Sequence, residues 1–398
     1  MSIVRNRISK ETFDVAVIGG GLSGLLISAA LHREGLKIAL LDSSDFLGGA
    51  SKAVQSKYGV LNNGLRFIPD TNLAHQGLEF LASVLGREVR ITSEETPPVT
   101  YESGEVRPFV GFGDRTPAYF EEISYFLSAQ RLLTDSQPHE WVRILTDLSP
   151  STRFTRSWVT RFVVENGHVN HAIINGDKTL HAHHFVFTGR LKDLSVLLAD
   201  EFIPVRSKQK LAKGPHWTAV CLDLFHSALV TESKAIHVLN GTTDDELGPC
   251  VGQFLSTTEN QEIAPQVSQW LTLLDEEATE DSEIVAGALK KIKKQIKRAY
   301  PKALEGIKQE RIVVNPAFSI SSEIKLNANQ TWPGLPNLWI GTGQAHNQRN
   351  LLGTLLQSSL VSNAMKQTLL SPTKSPSKGP QMFNLSNEIA EEEPSPEA

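Results

Sequence analysis

Phe13-Asp14-Val15-Ala16-Val17-Ile18-Gly19-Gly20-Gly21-Leu22-Ser23-Gly24, continued by Lys37-Ile38-Ala39-Leu40-Leu41-Asp42, decides the reading of the chain. The run from Phe13 to Ile18 has the apolar content of a parallel strand buried on both faces. Leu22 to Glu34 reads as a helix whose Ser28, Ala29 and Ala30 permit close packing on a sheet, and Gly35 ends it. Lys37 to Asp42 is then the second strand of a βαβ unit of about 30 residues. Between first strand and helix lies G-x-G-x-x-G. Its first glycine makes the turn, its second admits a pyrophosphate close to the backbone, and its third packs helix against strand. Unpaired N–H groups and the dipole at the helix start favour the negative charge. Asp42, ending the second strand, is placed to accept a hydrogen bond from an adenosine ribose and would repel the 2′-phosphate of NADP. Gly19, Gly21, Leu22, Ser23, Gly24, Asp42 and Ser43 are therefore the candidate dinucleotide contacts. A glycine turn without a ligand is the bland alternative. The preceding strand, the following helix and the acid together weigh against it.

Val15 to Leu31 is nearly all apolar and follows Arg5, Arg7 and Lys10, so it imitates a signal peptide or membrane anchor. The glycines between Gly19 and Gly24 suit a strand, turn and helix start better than a spanning helix. With 398 residues the chain is long enough for two domains, and 40% hydrophobic with 21% charged residues is a globular composition. A net charge of -5 provides no general attraction to nucleic acid. Cys221 and Cys250 suffice for neither a disulfide framework nor a CxxC site, so a reducing cytoplasm is the expected location.

Downstream, Leu73 to Leu85 is amphipathic and Pro97-Pro98 interrupts the pattern. Trp158–Val164, Val169–Ile174 and His184–Phe187, separated by Asn166-Gly167 and Asn175-Gly176-Asp177, read as a β-meander returning to the first sheet. Strands around Val220–Phe225 and Gly252–Leu255 and a helix over Ile284–Tyr300 are assigned to a second domain. A last sheet strand spans Leu338–Gly341 and a helix follows from Leu351 to Leu370. The Pro-, Ser-, Lys- and Glu-rich segment 371–398 is expected to be a disordered tail.

Asp42-Ser43-Ser44-Asp45-Phe46-Leu47-Gly48-Gly49 resembles the extended fingerprint of the GG-doublet flavoproteins, which include amine oxidases, protoporphyrinogen oxidases and phytoene desaturases. Three further stretches are similar to that family: Tyr58 to Phe67, the meander, and Pro333 to Gly343 with Leu351-Leu352-Gly353-Thr354. The resemblance implies non-covalent FAD. Gly48, Gly49 and Ala50 would lie near the flavin-side phosphate, Val159 at the adenine, Gly343 beside the ribityl chain and pyrophosphate, and Leu352 on the pyrimidine side. Arg66 would lie in the segment covering the isoalloxazine, where it could bind a substrate carboxylate or form a structural salt bridge. The sequence departs from the family twice. Ala50 replaces the usual Arg after the doublet, leaving Lys52 or backbone to hold the phosphate, and Gln344 replaces the common acid after Gly343.

His346 and Arg349 follow the C-terminal glycine turn and are candidates for steering electron density, against the plainer reading as loop polarity or a helix cap. Arg66 and His346 are thus the catalytic candidates. His181, His183 and His184 lack a completing ligand, and no metal is expected. The basic face from Lys290 to Arg298 reads as a solvated helix face, with a peripheral membrane contact as the alternative.

The expectation is an α/β protein, a Rossmann-type FAD-binding domain with an inserted α+β substrate domain. The FAD-binding pieces are 12–60, 145–195 and 330–370, and the substrate domain comprises 61–144 and 196–329. The expected activity is hydride abstraction from a C–N or C–C bond of a small, largely apolar or amine substrate. A mutase acting on UDP-galactopyranose without net redox, an NAD-dependent dehydrogenase and a non-catalytic flavin-binding protein are the alternatives.

Overall fold

The computed structural model describes residues 11–149, 152–213, 216–240, 249–256, 264–320 and 324–370. The tail 371–398 lies outside the described residues. The opening unit folds as strand β1 (Thr12–Ile18), helix α1 (Leu22–His32) and strand β2 (Ile38–Leu41). No described helix is long and apolar enough to cross a membrane, and the apolar run from Val15 to Leu31 is divided between β1, the glycine turn and α1.

β1 lies inside an eight-stranded sheet, parallel to β2 on one side and to β12 (Lys178–Phe187) on the other. Val15 and Val17 enter one core while Ala16 and Ile18 enter the opposite one, which is why this strand tolerates no regular polar alternation. β2 also pairs with β9 (Arg153–Phe154). The meander β10 (Val159–Glu165), β11 (His168–Ile174) and β12 is antiparallel. β12 changes partner along its length: Lys178–His181 pairs with β11, and Phe185–Phe187 pairs in parallel with β19 (Leu335–Ile340), which β18 (Thr331–Trp332) extends.

A second, seven-stranded sheet runs β17 (Ile307–Ile320), β13 (His216–His226), β16 (Gln266–Asp275), β15 (Cys250–Ser256), β14 (His237–Leu239), β6 (Val99–Glu102), β7 (Glu105–Pro108). Two small pairs complete the strands: β3 (Val54–Ser56) with β4 (Gly59–Leu61), and β5 (Ile91–Glu95) with β8 (Gln130–Thr134). Alternation along β13 divides the second sheet's faces. Leu222 and Leu224 pack with Ile292 and Ile296 of a helix over Ser282–Ala299, whereas Ala219 and Cys221 pack with Leu65, Phe67 and Phe126. That helix turns its apolar side to the sheet and its basic side outward, where Lys293 pairs with Glu310 at 2.6 Å.

Two further helices are amphipathic: α2 (Asn72–Leu85), which the sequence reading placed with the substrate domain, and α3 (Pro138–Leu148), which it did not single out and which straddles its boundary between residues 144 and 145. In the structure Ala74, Leu78, Leu81, Trp141 and Leu145 join Leu25, Leu26 and Leu355 in the core beneath the glycine loop. Segment 194–211 likewise packs on the first sheet through Leu194, Leu197, Ile203 and Leu211. An apolar stripe specifies that a helix is half-buried and not which core it covers. The helix over Ser282–Ala299 is called α4 below, and the final helix, Asn350–Leu370, α5.

Candidate functional site

Gly19 and Gly24 are each demanded by a close neighbour. Gly19 has φ +109°, and a side chain there would meet Thr188 Oγ1 at 2.5 Å. Gly24 lies against the loop so closely that a Cβ would stand 1.8 Å from the Gly19 carbonyl oxygen. Gly21 differs from both. Its φ of -70° is open to any residue and no protein atom lies within 4 Å of an added Cβ, yet it lines the main cleft. The chain leaves that space free, as close approach of an outside group requires.

Asp42 fixes the loop from the end of β2. Its Oδ2 accepts from the Gly20 N–H at 2.6 Å, and its Oδ1 accepts from the N–H and hydroxyl of Ser44 at 2.8 and 2.5 Å. The Gly48 N–H donates to the Gly20 carbonyl at 2.7 Å, which brings the glycine doublet onto the loop.

The cleft, about 430 Å³, draws on distant parts of the chain. Gly19, Gly21, Leu22, Ser23, Asp42 and Ser43 contribute from the βαβ unit, and Gly49, Ala50 and Ser51 from the doublet segment. Gly343, Gln344 and Thr354 line it from the C-terminal region, and Arg66 and Asn315 from the side of the second sheet. Gly343 is pressed on the start of α5, with Thr354 N 2.7 Å from an added Cβ. A second cleft of about 330 Å³ carries Val159 and shares Gly19, Asp42, Ser43, Gly189 and Asp193 with the first, so the two adjoin.

Not all the residues singled out from the sequence reach this space. Gly24 and Gly48 shape the loop from behind, and neither lines the main cleft. Leu352 is buried in the helical core and does not line the cleft, whereas its equally buried neighbour Leu351 does. His346 does not line the cleft. Its Nδ1 accepts from the Gln348 N–H at 2.9 Å, closing the turn before α5, and burial lowers its pKa. Lys52 is exposed and does not line the cleft, which Ala50 and Ser51 reach. Gln344 Oε1 accepts from the Leu191 N–H at 2.8 Å, giving the departure from an acid a structural use. Arg349 lines the cleft and lies 3.6 Å from the buried carboxylate of Glu122.

Arg66 is half-buried and donates to the Asn63 carbonyl at 2.9 Å and to the Ala50 carbonyl, not to a carboxylate, while its buried Nε has no partner. Burial lowers its pKa, the direction expected of a cation withdrawn from water. It also borders a side pocket of about 160 Å³. Leu65, Phe67 and Trp141 give this pocket apolar walls, and Asn62, Gln253 and Gln269 add amides. Arg131, also on the wall, is paired with Glu94. The Asn62 carbonyl is clasped from the second sheet by Arg311 Nη2 at 2.9 Å and Gln269 Nε2 at 3.3 Å. Arg311 in turn pairs with fully buried Asp223, whose pKa burial raises against the opposing effect of Arg311.

Thr188, Gly189 and Asn315 line the cleft without having been singled out. A Thr-Gly step ending a parallel strand was a readable signal, because ligands collect at the carboxyl ends of such strands. Asn315, on a strand far along the chain, carried none.

Residues 14–171 match the model of a family described as FAD dependent oxidoreductase. Among curated relatives, an aerobic glycerol-3-phosphate dehydrogenase of Staphylococcus haemolyticus is 28% identical over 102 residues, covering 26% of this chain and 15% of that protein. A flavin-containing amine oxidase of Oncorhynchus mykiss is 36% identical over 106 residues, covering 26% of this chain and 19% of that protein. The likeness thus spans less than a quarter of either relative's length. An oxidoreductase structure from Methanosarcina mazei superposes with a TM-score of 0.66 over 88% of this chain and 99% of its own, at 13% identity. The fold is that of these flavoenzymes.

Proposed function

We propose that this chain, whose residues 14–171 match a FAD-dependent oxidoreductase domain, is a flavoenzyme of amine-oxidase-like type that binds FAD without a covalent link. The observation that carries the reading is Gly21, a position with free space around it at a helix N-terminus on the cleft. The cleft's path suits an extended dinucleotide. Backbone N–H groups near Leu22 and Ser23 would receive the pyrophosphate, with Gly343 beside it, and Asp42 the ribose. Val159 would border the adenine, and Gly49, Ala50 and Arg66 the flavin end. Cys221 does not suit a covalent attachment, since burial pushes its thiol up to about 12.

Bound there, FAD supplies the acceptor for a hydride from a substrate carbon. The protein's part is to hold that carbon and keep water out. The side pocket bordering Arg66 is the proposed substrate seat. Its volume of about 160 Å³ and the walls Leu65, Phe67 and Trp141 suit a small, largely apolar molecule. No carboxylate lies among its lining residues, and Arg66 would repel an ammonium ion, so an amine would enter as the free base. Arg66, which lines both the main cleft and this pocket, would orient the donor, and Asp223, Arg311 and Gln269 would hold the Asn62–Arg66 segment in place. His346, off the cleft lining, is proposed to shape the turn before α5.

An absorbance spectrum of the purified protein, with acid precipitation, tests the cofactor reading. Flavin colour released wholly to the supernatant is expected. Colour kept in the pellet would refute the non-covalent link, and a colourless protein that also refuses added FAD would refute the whole reading. Anaerobic bleaching of that colour by amines then tests the substrate class.

A further inference from the structure

The second cleft ends in two apolar side chains that no packing requires. Trp158 is 52% exposed and Val196 is 77% exposed, and both line the space together with Val159. Large apolar groups left open at the mouth of a concave surface mark a place where something apolar sits. Ile18, Leu41, Phe187 and Leu197 add further apolar walls, and the charged side chains lining this cleft, Asp42 and Asp193, are both acids that would repel a phosphate. Asp193 is itself occupied, bound by Arg190 at 2.9 and 3.1 Å.

Trp158 is also held rigidly at the backbone. Its N–H donates to Asn175 Oδ1 at 3.0 Å and its carbonyl accepts from the Asn175 N–H at 2.9 Å. The preceding residue, Ser157, donates its N–H to the Asp42 carbonyl at 2.8 Å, and Arg156 pairs with Asp45. The strand carrying the ribose-facing acid and the segment carrying the indole are therefore joined directly. A ligand that passes from Gly21 across Asp42 meets Trp158 next.

We propose that Trp158 is the aromatic face on which the adenine of the bound dinucleotide stacks, with Val196 as a second apolar contact. The inference rests on the FAD reading and adds the residue that recognises the base. Stacking on an indole suits a flat heterocycle of any hydrogen-bonding pattern. It explains how a rim of this polarity can hold one end of the cofactor.

Trp158 is the readout as well as the residue. Of the six tryptophans, Trp141, Trp270, Trp332 and Trp339 are fully buried and Trp217 is half-buried, so iodide quenching reports chiefly on Trp158. After removal of any bound flavin, ADP or FAD is expected to shield that emission from iodide. Trp158→Ala is expected to weaken FAD and ADP binding about tenfold, and Trp158→Phe to restore most of it. ADP binding that leaves the emission open to iodide overturns the proposal, as does unchanged FAD affinity in Trp158→Ala. If Trp158→Ala fails to fold, the wild-type shielding and the Trp158→Phe affinity decide the matter alone. Failure of the wild type to bind either FAD or ADP overturns the cofactor reading itself, whereas FAD binding with Trp158 still accessible overturns only the stacking.

Discussion

At position 21 an added Cβ would have no protein atom within 4 Å, whereas at position 24 it would stand 1.8 Å from a carbonyl oxygen. The two glycines therefore fail differently. Gly21→Val, allowed by φ -70°, is expected to keep the wild-type melting temperature while abolishing FAD binding in a fluorescence titration. Gly24→Ala is expected to lower the melting temperature, because helix and loop must separate to admit the methyl group. A valine variant that binds FAD normally would mean the loop is not the dinucleotide site. Arg66 is the other residue whose loss is informative. Its lack of a carboxylate partner leaves it available to a substrate, so Arg66→Ala is expected to slow flavin reduction at least about tenfold with little change in FAD affinity. If the substrate is an amine, kcat/KM should rise with pH until the substrate has lost its proton, since the pocket lining holds no carboxylate to receive the charged form. A flat profile through the amine's own pKa would oppose that reading.

At the scale of elements, the second sheet is stabilised by polar groups that its strands enclose. On β13, His226 Nε2 meets Ser268 Oγ at 2.8 Å and its Nδ1 meets the Ala303 carbonyl at 3.0 Å. On β14, His237 Nε2 meets the Tyr300 hydroxyl at 2.6 Å. Burial drives both histidines down to about 4, from an ordinary 6.5. Below 6.5 the unfolded chain binds protons that the folded sheet excludes. Their contribution to stability is accordingly whole above 6.5 and is lost as the pH falls towards 4. Urea midpoints measured across that range should fall with acid, and His237→Phe should flatten part of the slope. Asp223 and Arg311 form the other enclosed pair, and each depends on the other. Arg311→Met leaves the buried carboxylate uncompensated and is expected to cost about 3 kcal/mol. The same change removes the shorter of the two hydrogen bonds to the Asn62 carbonyl, leaving Gln269, so the segment bearing Arg66 should loosen, measurable as faster hydrogen exchange there.

Across the molecule, the two sheets are joined beside the cleft by charge. Glu276, following β16, receives Arg190 at 3.0 Å and Lys192, both from the segment after β12. The carboxylate is largely enclosed and the cations are only partly so. Glu276→Gln is therefore expected to cost about 1 kcal/mol, with the loss shrinking at high salt. A salt-independent loss in chemical denaturation would point to packing instead.

Sequence alone determined what depends on neighbours along the chain. The βαβ unit was legible because strand, glycine turn, helix and acid follow one another within a short span, and local sterics allow that pattern few other structures. The meander was equally plain from its Asn-Gly and Asn-Gly-Asp turns between alternating strands. Only the tertiary structure decided which core α2 and α3 would cover, because an amphipathic face carries no address. It alone set Asn315 and Thr188 on the cleft, turned Leu352 into the core and left His346 off the cleft lining. Those outcomes depend on where a helix axis lies relative to a sheet more than a hundred residues away in the chain. Residue type and spacing do not encode that placement locally; it follows from the packing of many side chains at once.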